Sequence, residues 1–560
     1  MKKLFFAFTV TAVLQLSSCG ISAPEGTALF DDFRYEGMDN FYEENPLHGE
    51  DMAYNPLLPG WYSDPSVCSN GKGDYFLVTS TFSYYPGVPI FHSRDLLNWK
   101  QVGNVLDRPS QLVNLDRQHV SGGIFAPAIE YNPHNGTYYM LTTNVGAGNF
   151  LVKTTDPFGE WSDPIMLPQV QGIDPSIFFD DDGRAYIVNN DDAPGGKPEY
   201  DGHRTIRIVE YDVQADRTVG ERRIIVDKGA RPEDEPVWIE GPHLYKIDGW
   251  YYLMCAEGGT EEGHSEVIFR SRSVMGGYEP WDGNPILTQR HLDPGRPNPV
   301  TCAGHADLVQ APDGGWWAVF LACRPYIGGY ENLGRETFML PVKWTEDGFP
   351  VITEGNGQVP LVVRHPGAVR SRDVTFGNFS VEDGFDADTL SYGWMTLRGP
   401  ADGLYSLSEN RGFLQLSCSD AKVEQMAVPA AVLRRVQHHR FSASTRMYFS
   451  PEGDSDAAGM LLFKDERHFY FLNVRNLDGV PSVCLQTSEE GSPVLASAPL
   501  PKGCSFVELG VESSGTGFDF YYAPNGKNSV LLQENVPARF LSTAAAGGFT
   551  GTTIGLYAVR

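Results

Sequence analysis

Three carboxylates occupy comparable points in a repeating pattern. Asp64 stands in "PGWYSDPSV", Asp174 in "QGIDPSIFF" and Glu240 in "VWIEGPHLY", each where an irregular stretch gives way to an apolar run. A lone Asp before Pro starts a turn and needs no function. A Glu that follows Trp238 and Ile239 is harder to dismiss, because burying a charge beside apolar groups is costly unless it is paired or used. Glycoside hydrolysis is the chemistry that needs two carboxyl groups across a small cleft. One activates water on one face of the sugar, and the other protonates the leaving oxygen on the opposite face. A third carboxylate beside the acid keeps it protonated near neutral pH by like-charge repulsion, a place that suits Asp174.

The elements that must position these groups recur along the chain. Gly-containing turns followed by aromatic strands appear as "NGKGDYFLVTS", "HNGTYYMLTT", "DDGRAYIVN", "IDGWYYLMCA" and "PDGGWWAVFLA". Asn-Gly and Asp-Gly between alternating apolar residues are strong hairpin signals. Most copies are followed by another strand pair, so each unit reads as a four-stranded blade. Five units predict an all-β chain whose residues 50–360 form a five-bladed β-propeller. The inner strand of each blade lines the central channel. The residues that open those strands are Asp64, Ala126, Asp174, Glu240 and either His305 or Asp307.

Composition agrees with this architecture. The chain has 560 residues, 41% hydrophobic, with 60 glycines, 39 prolines and 12% aromatics, which suits many short strands in more than one domain. A formal charge of −28 repels phosphate backbones and anionic lipid headgroups, which excludes nucleic acid as a partner and favours a neutral ligand. The N-terminus, "MKKLFFAFTVTAVLQLSSCG", reads as a signal peptide over 1–19. Its Leu16 to Cys19 segment resembles a bacterial lipobox, which implies lipidation of Cys19, export to the periplasm or outer surface, and membrane attachment through the lipid alone. Residues 20–49 read as an irregular leader. The other seven cysteines show no CxxC spacing and sit mostly in apolar runs, so they are expected to pack in the core, with one incidental disulfide at most.

The segments "LLPGWYSDPSV", "TSTFSYYPGVPIFHSRDLLNW", "QGIDPSIFFDDDG", "WIEGPHLYK", "GHADLV" and "NLGRETFMLPVKW" together resemble glycoside hydrolase family 43. The likeness is to its β-xylosidase and α-L-arabinofuranosidase members with a C-terminal sandwich, and it runs over residues 50–560. It implies Asp64 as general base, Asp174 as pKa modulator and orienter, and Glu240 as general acid. It further implies sugar contacts from Phe82, Phe125, His305 and Arg335; Phe125 replaces the Trp usual in the family. His305 matches a position where some relatives hold a water or a calcium ion, so no cofactor is required and a structural calcium is the one metal to look for. Glu257 and His264 match a segment beside the acid-bearing blade and are expected to be structural or to support the catalytic groups from behind. After a linker over 361–375, residues 376–560 resemble a concanavalin-like β-sandwich, from which Phe549 is expected to close one end of the pocket.

The resemblance implies an inverting, exo-acting hydrolase releasing terminal β-D-xylose or α-L-arabinofuranose from hemicellulose-derived oligosaccharides. Two alternatives stand beside it. A non-catalytic carbohydrate-binding propeller would be marked by loss of one carboxylate, and none is lost. A retaining fructosidase-type propeller expects its nucleophile after Asn, whereas Asp64 follows Ser63.

Overall fold

Each glycine turn read from the sequence closes an antiparallel hairpin, and each hairpin forms the inner half of a four-stranded sheet, to which the fourth blade adds a short fifth strand, Leu287–Thr288, beside Ser265–Ser271. In a computed structural model describing residues 21–326, 328–354, 357–489 and 493–560, five such sheets form the propeller. Their inner strands are Ser66–Ser69, Ala128–Asn132, Ile173–Phe179, Glu240–Ile247 and Thr301–Gln310, for blades 1 to 5. Apolar side chains pack between blades, as Tyr186 and Val188 of blade 3 do with Leu253 and Phe269 of blade 4. The ring is tied where its two ends meet: Met52–Tyr54 pairs with Val362–Arg364, and Leu58 bridges to Thr337. The segment read as a linker over 361–375 therefore supplies a strand to this closure. Cys19 and the rest of the predicted signal peptide lie outside the described residues. Cys68, Cys255, Cys302, Cys323, Cys418, Cys484 and Cys504 are free thiols, most of them buried.

The inner strands open with an unusual backbone. Asp64 (φ 52°), Asp174 (φ 54°), Gly241 (φ 55°) and His305 (φ 53°) all adopt the left-handed conformation. In blades 3, 4 and 5 the ladder is also broken by a bulge, between Ile173 and Ser176, Glu240 and His243, and Gly304 and Asp307. A bulge re-aims a side chain, and here it turns those residues toward the channel mouth. The register differs from the sequence reading in one respect. Gly241, not Glu240, stands in the place of Asp64 and Asp174, and the acid is the residue before it. Asp64, Asp174 and His305 show that this backbone admits other residues; glycine is required at 241 because a Cβ there would lie 2.8 Å from His305 Nε2.

The remaining chain supplies fifteen strands of a sandwich of two eight-stranded sheets, around a core that includes Phe30, Phe33, Phe441, Met460, Leu472 and Phe520. The expected irregular leader does not hold over its middle part. Thr27–Gly37 is a strand inside one of these sheets, between Leu414–Ser417 and Arg440–Tyr448. Its pattern "TALFDDFRYEG" buries Ala28, Phe30, Phe33 and Tyr35, and the bulge between Asp31 and Arg34 keeps both halves facing the same core. The chain thus begins in the sandwich, builds the propeller and returns.

The two domains share a sheet. Tyr84–Tyr85, an excursion within blade 1, pairs with Met395–Leu397 of the sandwich. Beside it the buried Arg398 donates from Nε to the Gln118 carbonyl at 2.7 Å and from its backbone N–H to the Ser83 carbonyl at 2.7 Å. Its guanidinium also pairs with Glu466, whose Oε1 accepts the Val120 N–H at 2.7 Å. Removing one member of a buried ion pair strands the other charge. Glu466→Gln is therefore expected to destabilise the protein by about 3 kcal/mol, read from denaturant unfolding at neutral pH. An unchanged midpoint would mean that the pair adds nothing to the docking of the domains.

Candidate active site

All three carboxylates of the sequence pattern line one pocket of about 490 Å³ at the mouth of the propeller channel. Blade 1 contributes Asp64 and blade 3 contributes Asp174, both at the left-handed positions, while Glu240 comes from the first residue of the blade 4 inner strand. Each is buried, with 6–7% of its surface exposed. Phe82, Phe125, His305, Arg335 and Phe549 line the same pocket, so every predicted sugar-contact residue is gathered there.

Asp64 is fixed by its neighbours. Its Oδ2 accepts the Ser80 hydroxyl at 2.5 Å, and His305 Nδ1 lies 3.8 Å from Oδ1. The preceding stretch is clamped from the sandwich. Arg435 donates to the Trp61 carbonyl at 2.8 Å, and its guanidinium stands 4.1 Å from the ring centroids of both Trp61 and Tyr62. Ser63 Oγ donates to the Arg335 carbonyl at 3.3 Å, which joins the strand bearing Asp64 to the loop bearing the pocket arginine.

The other two carboxyls hold protons unusually well. Burial pushes Glu240 up to about 7, opposed by Arg335 and reinforced by the negative charge of Asp64. Asp174 is raised well above the usual carboxylate range by burial, then by repulsion from Glu240 and Asp64. The Gly241 N–H, donating to Asp174 Oδ2 at 3.2 Å, only partly offsets this. The pocket thus places Asp64, a carboxyl that is protonated up to neutrality and a third acidic group within one cavity.

Aromatic rings wall the pocket. Phe82 and Phe549 stack with centroids 6.0 Å apart, and Phe125 meets both edge-on at 5.9 and 5.7 Å. The Arg335 guanidinium lies 4.7 Å from the Phe549 centroid. Phe549 arrives from the sandwich, its N–H donating to Ser121 Oγ at 2.9 Å. Backbones touch nearby: a Cβ on Gly334 would lie 2.6 Å from Gly551 N.

The alternative between His305 and Asp307 resolves by depth. His305 lines the pocket, and burial keeps its imidazole below the usual range although Asp64 opposes this. Asp307 faces the channel behind it, accepting from Ser66 Oγ at 2.7 Å and Tyr245 OH at 2.6 Å. Among the described residues no group of three or more His, Cys, Asp or Glu side chains is arranged to hold a metal ion.

Glu257 has the structural place expected of it, accepting the Ala230 N–H at 2.9 Å away from the pocket. His264 takes the supporting place, reaching the pocket wall. Its Nδ1 donates to the Cys302 carbonyl at 2.9 Å, and burial pushes its pKa down to about 3, so the ring is neutral. The pocket also includes Trp238, Thr260 and Glu261, which the motif reading did not select. The sequence presents Trp238 as an apolar neighbour that buries Glu240. Ile239 does that, being fully buried, while Trp238 keeps 38% of its surface in solvent. The turn "AEGGTEEG", with its paired glycines, is the signal that a loop of blade 4 comes to the same rim.

Comparison with known proteins follows this geometry. Residues 53–350 match Glycosyl hydrolases family 43, and residues 382–560 match the Beta xylosidase C-terminal Concanavalin A-like domain. The chain is 39% identical over 514 residues to a xylosidase/arabinosidase of Butyrivibrio fibrisolvens, covering 90% of this chain and 96% of that protein. It is 34% identical over 512 residues to a non-reducing end alpha-L-arabinofuranosidase of Bacteroides ovatus, covering 90% of each. The crystal structure of a GH43_12 protein retrieved from capybara gut metagenome superposes with a TM-score of 0.87 at 41% identity, covering 95% of this chain and 99% of that one. With its propeller, its carboxylate-lined pocket and its appended sandwich all accounted for, the chain belongs to glycosyl hydrolase family 43.

Proposed function

We propose that Asp64 acts as general base and Glu240 as general acid in the inverting, exo-acting removal of terminal β-D-xylose or α-L-arabinofuranose from hemicellulose-derived oligosaccharides. The observation that carries this reading is the convergence of Asp64, Asp174 and Glu240 in one pocket, with Glu240 raised to about 7. Water bound against Asp64 attacks the anomeric carbon while Glu240 gives its proton to the leaving oxygen on the opposite face. Asp174 and Glu240 repel each other and titrate as a pair that retains a proton toward neutral pH, and Asp174 orients the sugar. Phe82, Phe125 and Phe549 pack on the apolar faces of the terminal sugar, and Arg335 and His305 bond its hydroxyls. Since Phe549 walls the pocket from the sandwich, the chain end enters and internal cleavage is disfavoured. The choice between the two sugars follows the relatives, whose names include xylosidase/arabinosidase and arabinofuranosidase. The lipobox-like segment ending at Cys19 suits an exported enzyme held at a membrane by lipid.

The direct test is stereochemical. Proton NMR in the first minutes of hydrolysis, before mutarotation, is expected to show α-xylose from a β-xyloside, or β-arabinose from an α-arabinofuranoside. Early product of retained configuration would overturn the roles of both residues.

Asp64→Asn and Glu240→Gln are each expected to lower kcat by about 10²–10⁴-fold with the melting temperature nearly unchanged. Glu240→Gln should lose less on substrates whose leaving group needs no proton, and Asp64→Asn should lose equally on all. A variant retaining near-normal turnover would remove that residue from the mechanism.

The acid works only when protonated, so kcat/KM is expected to hold below neutrality and to fall as pH rises through about 7. In Asp174→Asn the mutual repulsion of Asp174 and Glu240 is gone, and the basic limb that this pair sets should move to lower pH. The profile is read with a poor leaving group, where protonation limits the rate. A limb that stays in place would leave Asp174 a positioning role alone.

A further inference from the structure

Trp238 is a bulky aromatic residue held in a conformation it resists. Its φ of 52° is left-handed, a region that costs a bulky side chain of this kind and persists only where the surroundings impose it. They do impose it. The Trp238 N–H donates to the Gly202 carbonyl at 2.8 Å, and the Val237 carbonyl accepts the N–H groups of Gly258 and Gly259 at 2.8 and 3.2 Å. Asn190 Nδ2 holds the next carbonyl, that of Ile239, at 2.6 Å. Asn190 Oδ1 in turn accepts Arg204 Nη2 at 2.8 Å, and the Arg204 guanidinium lies 4.6 Å from the Trp238 ring centroid.

This scaffolding does not bury the ring. Trp238 stays 38% exposed at the lip of the pocket, beside Gly258, Gly259, Thr260 and Glu261. A rigidly held, exposed indole rimmed by polar groups is the surface on which a sugar ring lays its C–H face. Its position says which sugar. Phe82, Phe125 and Phe549 form a ring cluster of their own, which the proposed function assigns to the terminal residue, and Trp238 makes no ring contact with it. Trp238 precedes the acid by two residues in the same strand opening, and the acid faces the leaving oxygen.

We propose that Trp238 is the stacking platform for the leaving-group sugar, with Thr260 and Glu261 as its polar rim, and that the sugar bound there is a xylopyranose ring. The inference rests on Glu240 being the general acid. Trp238 discriminates among leaving groups rather than among terminal sugars. A xylopyranose ring occupies that place both in xylobiose and in an arabinofuranosyl-xylose, so the platform serves either terminal sugar.

The test measures binding by calorimetry in the Asp64→Asn background, with the disaccharide that the wild-type enzyme cleaves, xylobiose or arabinofuranosyl-xylose, and with its terminal monosaccharide alone. Adding Trp238→Ala is expected to weaken the disaccharide about tenfold and to leave the monosaccharide within about twofold. Trp238→Phe, which keeps a smaller ring, should fall between. Equal weakening of both ligands would make Trp238 a support for the strand opening, and an unchanged disaccharide affinity would place the leaving sugar elsewhere; either overturns the platform. A wild-type enzyme that cleaves neither disaccharide would instead overturn the substrate reading beneath it.

Discussion

Burying three carboxyl groups in one pocket is the constraint on which the rest of this structure depends. Left to themselves, Asp64, Asp174 and Glu240 would repel one another and draw in solvent. The fold makes the arrangement tolerable by distributing the load. Asp64 is met by Ser80 and has His305 nearby, Asp174 takes one backbone N–H from Gly241, and Glu240 feels the field of Arg335. What remains uncompensated appears as raised proton affinity in Asp174 and Glu240. That residue of unfavourable electrostatics is the property an acid catalyst requires near neutral pH.

A propeller is well suited to hold such an arrangement, because each blade delivers one residue to a common mouth from a rigid inner strand. The left-handed residues at 64, 174, 241 and 305 show how the delivery works. A regular strand would turn alternate side chains into the interfaces between blades. The local kink instead aims a side chain along the channel axis, at a conformational cost that packed blades such as 3 and 4 are able to sustain.

The sandwich completes the pocket rather than hanging beside it. Phe549 closes the wall, Arg435 clamps the stretch leading into Asp64, and the Arg398 and Glu466 pair holds the loop from Gln118 to Val120 that precedes Phe125. The shared sheet through Tyr84 and Tyr85 makes the two domains one mechanical unit at the point where Phe82 enters the site.

The catalytic pattern and the blade count were legible in the sequence because both are local. A glycine turn between alternating apolar residues carries its own geometry, and a carboxylate in front of a strand can be recognised within nine residues. The resemblance to a family added Arg335 and Phe549 by matching motifs, which neither spacing nor periodicity would have joined to Asp64. Other features depended on contacts between distant segments. Thr27–Gly37 looks irregular until its strand partners near 415 and 445 are known, since a bulge interrupts its alternation. The one-residue offset that puts Gly241 opposite Asp64 is invisible in "WIEGP", and only the approach of His305 explains the glycine. Trp238 reads as core by its type alone. Its exposure was decided by backbone bonds from Gly202, Gly258 and Gly259, which come from separate loops and meet only when blades 3 and 4 are packed.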